Sequence, residues 1–175
     1  MCIFKILPSI IAFASLGNIT HACIKLSEYF PAETSIEYYT QPSMKCAINA
    51  VYFSIKKTLD KSISIEKISQ NFEKFEGPPY SILDIVSILD EYSLKTLPSK
   101  LIPSTEVFMH RFNNGILYLK KPGRKIGHFS FCFRGKDGKL WIADPAFGDK
   151  CIEFTPESEI FKSFTGIILK IENPK

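Results

Sequence analysis

No two cysteines in this chain are spaced Cys-x-x-Cys, and only three histidines accompany its five cysteines, so spacing alone argues against a zinc site. No run of lysine or arginine tracks a phosphate backbone. The 22 basic residues, set against 18 acidic ones, are dispersed through helical and turn-like segments, which disfavours a nucleic-acid partner. Internal repeats and low-complexity stretches are missing. No apolar run reaches the roughly 20 residues that cross a bilayer as a helix, so no integral membrane domain is expected. What is there is a chain of 175 residues, 45% of them hydrophobic, enough for one domain with a sizeable core.

The longest apolar stretch follows Lys5, runs from Ile6 to Leu16, and is broken only by Pro8, Ser9 and Ser15. It is too short to span a membrane and exits through small residues, Thr20 and Ala22, which is signal-peptide architecture. Residues 1–22 are therefore expected to direct export, with 23–40 a polar and aromatic lead-in and 41–175 the folded domain. Cys23, directly after Ala22, has the position of a lipidated cysteine, although Thr20 stands where such a site wants leucine. If Cys2 leaves with the signal, four cysteines remain. A disulfide such as Cys132 to Cys151 is then open in an oxidising compartment, but parity does not decide connectivity.

Helices come first and strands after, the order of an α+β domain. Ala47, Ala50, Val51, Ile55 and Leu59 recur at helical spacing behind Pro42-Ser43, which puts Cys46 in a first helical turn. Ile65, Ile68 and Phe72 suggest a second helix. Ile82, Ile85, Val86 and Leu89 suggest a third, with Ser81 and Asp84 at capping-box spacing. Beyond Asn114-Gly115, read as a turn, Ile116 to Leu119 forms a short strand and Lys121-Pro122-Gly123 a loop. His128 to Phe133 alternates strictly, so its three phenylalanines share a core face while His128, Ser130 and Cys132 share the opposite one. Asp137-Gly138 marks a hairpin turn, and the returning strand Leu140 to Ala143 ends at Asp144-Pro145.

A thiol is a useful nucleophile when its thiolate is stabilised, and a helix N-terminus does this through unpaired N–H groups and the helix dipole. Cys46 has that position, although an isolated cysteine is more often a small core residue. A neutral histidine can take the thiol proton, and a carboxylate can fix the ring in the useful tautomer. His128, behind Gly127, and Asp144 suit those roles on two strands of one hairpin. A loop centred on Lys136 sets them opposite each other, whereas a two-residue turn at Asp137-Gly138 offsets Asp144 by about three positions. Gln41 can supply an oxyanion donor beside the backbone N–H of Cys46.

Gln41-Pro-Ser-Met-Lys-Cys46-Ala, then Gly127-His128-Phe-Ser-Phe, then Ala143-Asp144-Pro145 together resemble the bacteriocin-processing cysteine peptidase family, over about residues 40–171. The resemblance implies a papain-like fold, with the nucleophile at a helix N-terminus in a helical N-terminal part packed on a C-terminal antiparallel sheet. It also implies a peptide or protein substrate and catalysis by Cys46, His128, Asp144 and Gln41, with no cofactor or metal. Three positions depart from the family pattern: Ala47 stands for the usual glycine, Lys45 for aspartate or serine, and one residue fewer separates Gln41 from Cys46. The expectation is an exported cysteine peptidase. Its alternatives are an inactive peptidase-fold binding module, or the same acyl-enzyme resolved by an amine.

Overall fold

The computed structural model describes residues 22–30, 45–59, 63–100 and 113–172. Residues 1–21 of the segment read as an export signal, and the Gln41-to-Met44 approach to Cys46, lie outside the described residues.

A short strand, β1 Cys23–Lys25, precedes the three helices, so the expected order of helices before strands holds only after it: α1 Cys46–Leu59, α2 Ile65–Phe72 and α3 Ile82–Glu91. Their starts are set by side chains that satisfy the orphan N–H groups of a first turn. Ser64 accepts from Lys67 N, and Ser81 with Asp84 forms the anticipated capping box. Helix α1 departs from a one-sided stripe, because every residue from Ala47 to Ile55 is buried. It is enclosed by α2 and α3 on one side and by the sheet on the other, and a helix apolar all round is a buried one.

The described strands are β1 Cys23–Lys25, β2 Thr96–Lys100, β3 Asn114–Leu119, β4 His128–Arg134, β5 Leu140–Ala143, β6 Lys150–Glu153 and β7 Phe164–Ile171. They form one seven-stranded antiparallel sheet in the order β1-β6-β5-β4-β3-β7-β2. A short helix, α4 Glu159–Lys162, precedes β7. Leu26 and Phe30 are buried in the core beside α1, so part of the stretch read as a lead-in packs with the domain.

Phe129, Phe131 and Phe133 of β4 face α1, as the alternation requires. The opposite face is not a solvent face. Cys132 lies there in a second apolar cluster with Leu117, Ile142, Phe154 and Ile168, partly closed by Ile160 of α4. The Asn114-Gly115 turn reading is also corrected, since both residues belong to β3. Asn114 is buried and its Nδ2 donates to Thr58 Oγ1 on α1 at 3.2 Å. A Cβ on Gly115 would meet the Leu169 carbonyl oxygen at 3.1 Å. Tertiary contacts to α1 and β7 thus override a local turn signal.

The β4–β5 connection falls between the two registers considered. Phe131 pairs with Ala143 and Arg134 with Leu140, leaving a five-residue loop from Gly135 to Lys139 closed by Gly135 N donating to Lys139 O at 2.8 Å. The loop centres on Asp137, and continuing the register sets Asp144 opposite Ser130, two residues from His128.

Candidate active site

Cys46 is the first residue of α1, with Asn49 N donating to the Lys45 carbonyl at 3.1 Å to close the first turn. Its thiol is half-buried, at the helix end where backbone N–H groups point outward. His128 opens β4 and Asp144 follows the last residue of β5. Because the strands run antiparallel, both lie at one end of the sheet, and Cys46 comes to the same end. Residues separated by 82 and 16 positions (128 − 46 and 144 − 128) thus gather at one cleft.

His128 Nε2 stands 2.5 Å from Asp144 Oδ2. With Nε2 engaged by the carboxylate, Nδ1 is the ring nitrogen left for a second partner, and the Cys46 sulfur is near enough to raise the imidazole's pKa. With Nε2–H donating to the carboxylate, Nδ1 is the basic nitrogen in the neutral ring. The imidazole is partly exposed, whereas the Asp144 side chain is only 3% accessible, so the carboxylate is the buried anchor of the group.

A buried carboxylate requires donors, and Asp144 has three. Oδ2 accepts from His128 and from the Ser130 hydroxyl, and Oδ1 accepts from Ala146 N at 2.9 Å. The last bond caps the 3-10 turn Pro145–Phe147, in which proline starts the turn that stops β5. Burial raises the Asp144 carboxyl, but the His128 ring, the Ser130 hydroxyl and the Ala146 N–H outweigh it and hold the group below the ordinary range. Burial lowers the imidazole, yet the Asp144 carboxylate and the Cys46 sulfur together hold His128 well above its ordinary value.

Ser130 is the residue the motif reading missed. It was placed on the His128 face by alternation but given no role. The available signal was the β4–β5 register, because a five-residue loop centred on Asp137, one position beyond the Lys136 centre that would oppose His128 to Asp144, brings Ser130 directly opposite Asp144. Gln41 lies outside the described residues, so the structure does not bear on its oxyanion role.

The other cysteines stand apart. Cys132 and Cys151 are both free and buried. Cys132 lies in the cluster with Ile142 and Cys151 in the α1-side core, so the sheet separates them and the disulfide considered from the sequence is not formed. Burial pushes the Cys132 thiol far up, and Cys151 is pushed up to about 12. Neither competes as a nucleophile. Cys23 is free and exposed on edge strand β1.

A cleft of about 350 Å³ opens at Cys46, walled by Tyr80 and Ile82 at the start of α3, and by Tyr118, Lys125 and Gly127. Gly127 admits close approach by another part of the chain, and the approaching group is the Tyr118 ring. A Cβ at position 127 would lie 2.2 Å from that ring's Cζ, so the glycine lets an aromatic wall stand directly beside the imidazole-bearing strand.

The fold is shared with solved peptidase domains. The peptidase domain of Streptococcus ComA, a bi-functional ABC transporter involved in a quorum sensing pathway, superposes with a TM-score of 0.58 at 19% identity, covering 77% of this chain and 96% of that one. A double glycine motif protease from an AMS/PCAT transporter, solved in complex with the leader peptide, gives 0.60 at 18% identity over 77% and 88%. At such identities the likeness shows the fold: mixed helices and antiparallel sheet in the papain-like arrangement. No curated protein matches the sequence. The model of the Peptidase C39 family matches residues 36–175.

Proposed function

The chain belongs to the Peptidase C39 family, and from that premise we propose that it is an exported cysteine peptidase that hydrolyses peptide bonds with Cys46 as nucleophile. The observation that carries the reading is the His128–Asp144 pair at 2.5 Å, set beside the cleft that Cys46 lines at the start of α1. In this reading the Cys46 proton passes to His128 Nδ1 and the sulfur adds to the scissile carbonyl carbon. The C–N bond then breaks as the imidazolium returns that proton to the leaving amine, leaving a thioester. Water, deprotonated by the same nitrogen, adds to the thioester and releases the carboxylic acid and the thiol. Asp144 holds the ring by Nε2 and stabilises the imidazolium without itself taking a proton. The backbone N–H of Cys46 at the start of α1, assisted by the Gln41 amide, supplies donors for the oxyanion.

A peptide substrate follows from the reaction, in keeping with the leader peptide bound by the transporter protease of similar fold. Export rests on the apolar segment Ile6 to Leu16 and its small-residue exit, so the substrate is met outside the cytoplasm. Incubating a defined peptide mixture with the wild-type protein, Cys46→Ala and His128→Ala, and sequencing the products by mass spectrometry, tests the reading. New termini made by the wild type alone are expected. Identical products from Cys46→Ala would overturn Cys46 as the nucleophile, and no cut peptide with a thiol that alkylates like an ordinary cysteine would return the chain to a binding module. Amine-capped products would show that the acyl-enzyme is resolved by transfer.

A further inference from the structure

The cleft is apolar over most of its wall, but one margin is strongly charged. The exception to the otherwise dispersed cations is the β3–β4 connection Lys120-Lys121-Pro122-Gly123-Arg124-Lys125, four cations in six residues. It is a tight loop, with Arg124 N donating to Lys121 O at 3.2 Å and Gly123 at φ +78°. Lys120, Arg124 and Lys125 are exposed, and Lys125 lines the cleft that contains Cys46. No aspartate or glutamate occurs in the sequence between Glu106 and Asp137. Among the described residues, no carboxylate forms an ion pair with Lys120, Arg124 or Lys125. On the facing wall, the Asp84 carboxylate is engaged by Ser81 N at the start of α3. Beside the loop, Ile126 is 57% exposed and also lines the cleft.

Lysine and arginine concentrated on one side of a reactive cleft, with no acid in the same segment, set up a positive potential there. Such a potential raises the local concentration of anions and orders the approach of a charged partner. We propose that the 120–125 loop is a charge-selecting subsite, and that the peptide taken by this cleft carries an acidic side chain within a few residues of the bond presented to Cys46. The inference rests on the peptidase reading and deepens it, by assigning the chemical class of the substrate. The apolar walls at Tyr80, Tyr118 and Ile126 receive the neighbouring side chains, and Arg124 and Lys125 receive the carboxylate.

Two small alkylating reagents test the potential without any known substrate. Iodoacetate and iodoacetamide differ in one negative charge and both modify thiols, so the ratio of their rates at Cys46, read by peptide mass spectrometry, reports the field at the sulfur. The ratio is expected to fall by roughly threefold or more in Arg124→Glu/Lys125→Glu at low ionic strength, and the difference to shrink in ~0.5 M salt, where charges more than a few ångströms apart are screened. Lys162→Glu on α4, outside the cleft lining, alters net charge without touching the loop and should leave the ratio unchanged. In the peptide-mixture digest, cut sites should be enriched in Asp or Glu near the scissile bond, and the double variant should lose that enrichment. A reactive Cys46 whose ratio is the same in wild type and double variant, or an equal fall in Lys162→Glu, overturns charge selection while leaving the peptidase reading intact. A Cys46 inert to both reagents overturns the peptidase reading, and this inference with it.

Discussion

Removing the Asp144 side chain should cost far more than the loss of one hydrogen bond, and part of that cost should be recoverable. In Asp144→Ala the Ser130 hydroxyl, on a residue 2% exposed, loses the acceptor it has at Oδ2, and a buried unsatisfied donor costs about 1–3 kcal/mol. Ala146 N loses its cap at Oδ1, worth about 1 kcal/mol. The bond to the imidazole is charge-assisted, but the ring is 38% exposed, so solvent screening brings its share down to about 1 kcal/mol. The sum is about 3–5 kcal/mol, a large part of a typical domain's ~5–15 kcal/mol. It should appear as a fall in thermal midpoint of roughly 6–20 °C for a chain of this size. Adding Ser130→Ala to Asp144→Ala removes the orphaned hydroxyl, so the double variant should be about 1–2 kcal/mol more stable than the sum of the two single losses predicts. Urea unfolding of the four proteins measures the coupling. Strict additivity would refute the claim that Ser130 acts through Asp144.

Gly127→Ala forces a Cβ into the space of the Tyr118 ring; a loss of about 1–3 kcal/mol is expected from overpacking, and Tyr118→Ala in the same chain should relieve most of it, as thermal unfolding of the three variants would show. The pH dependence of the His128–Asp144 pair has two limbs. His128 is raised in the folded protein, so its contribution is full below its ordinary 6.5 and lost as pH rises through the raised value. Asp144 is lowered, so its contribution is full above its ordinary 3.8 and lost as pH falls through the depressed value. The stability difference between wild type and His128→Asn should therefore be largest between about pH 4 and pH 6.5, and a difference that keeps growing toward pH 9 would contradict the sign. Cys132 and Cys151 should resist alkylation in the native protein and react only after denaturation, which mass spectrometry of peptides labelled with and without guanidinium would establish.

Periodicity and capping chemistry made the helices legible. Cys46, Ile65 and Ile82 are the first residues of α1, α2 and α3, as their stripes and the Ser81–Asp84 box suggested. The alternation of β4 was legible for the same reason, since strand geometry maps directly onto residue parity. Strands β1, β2 and β6 were not, because none carries a local strand signal. β1 has three residues, and β2 contains Pro98, which suits only the sheet edge it occupies. Their identity as strands comes from pairing with β6, β7 and β5, a tertiary fact without a local signature. The covered second face of the sheet was hidden likewise, because His128, Ser130 and Cys132 read as polar until Phe154, Phe164 and α4 close over Cys132. At the site, residue types and their order pointed to Cys46, His128 and Asp144. The register that gives Asp144 to Ser130 as well as to His128 depended on a five-residue loop whose length neither turn signal specified.

The most direct test of the central claim is the rate at which iodoacetamide alkylates Cys46, followed across pH in wild type and in His128→Ala. An imidazole that sits beside the thiol and is held by Asp144 should make Cys46 react quickly at pH 6, and removing it should slow that reaction by roughly tenfold or more. A Cys46 that reacts at the same rate with and without His128 would contradict the account.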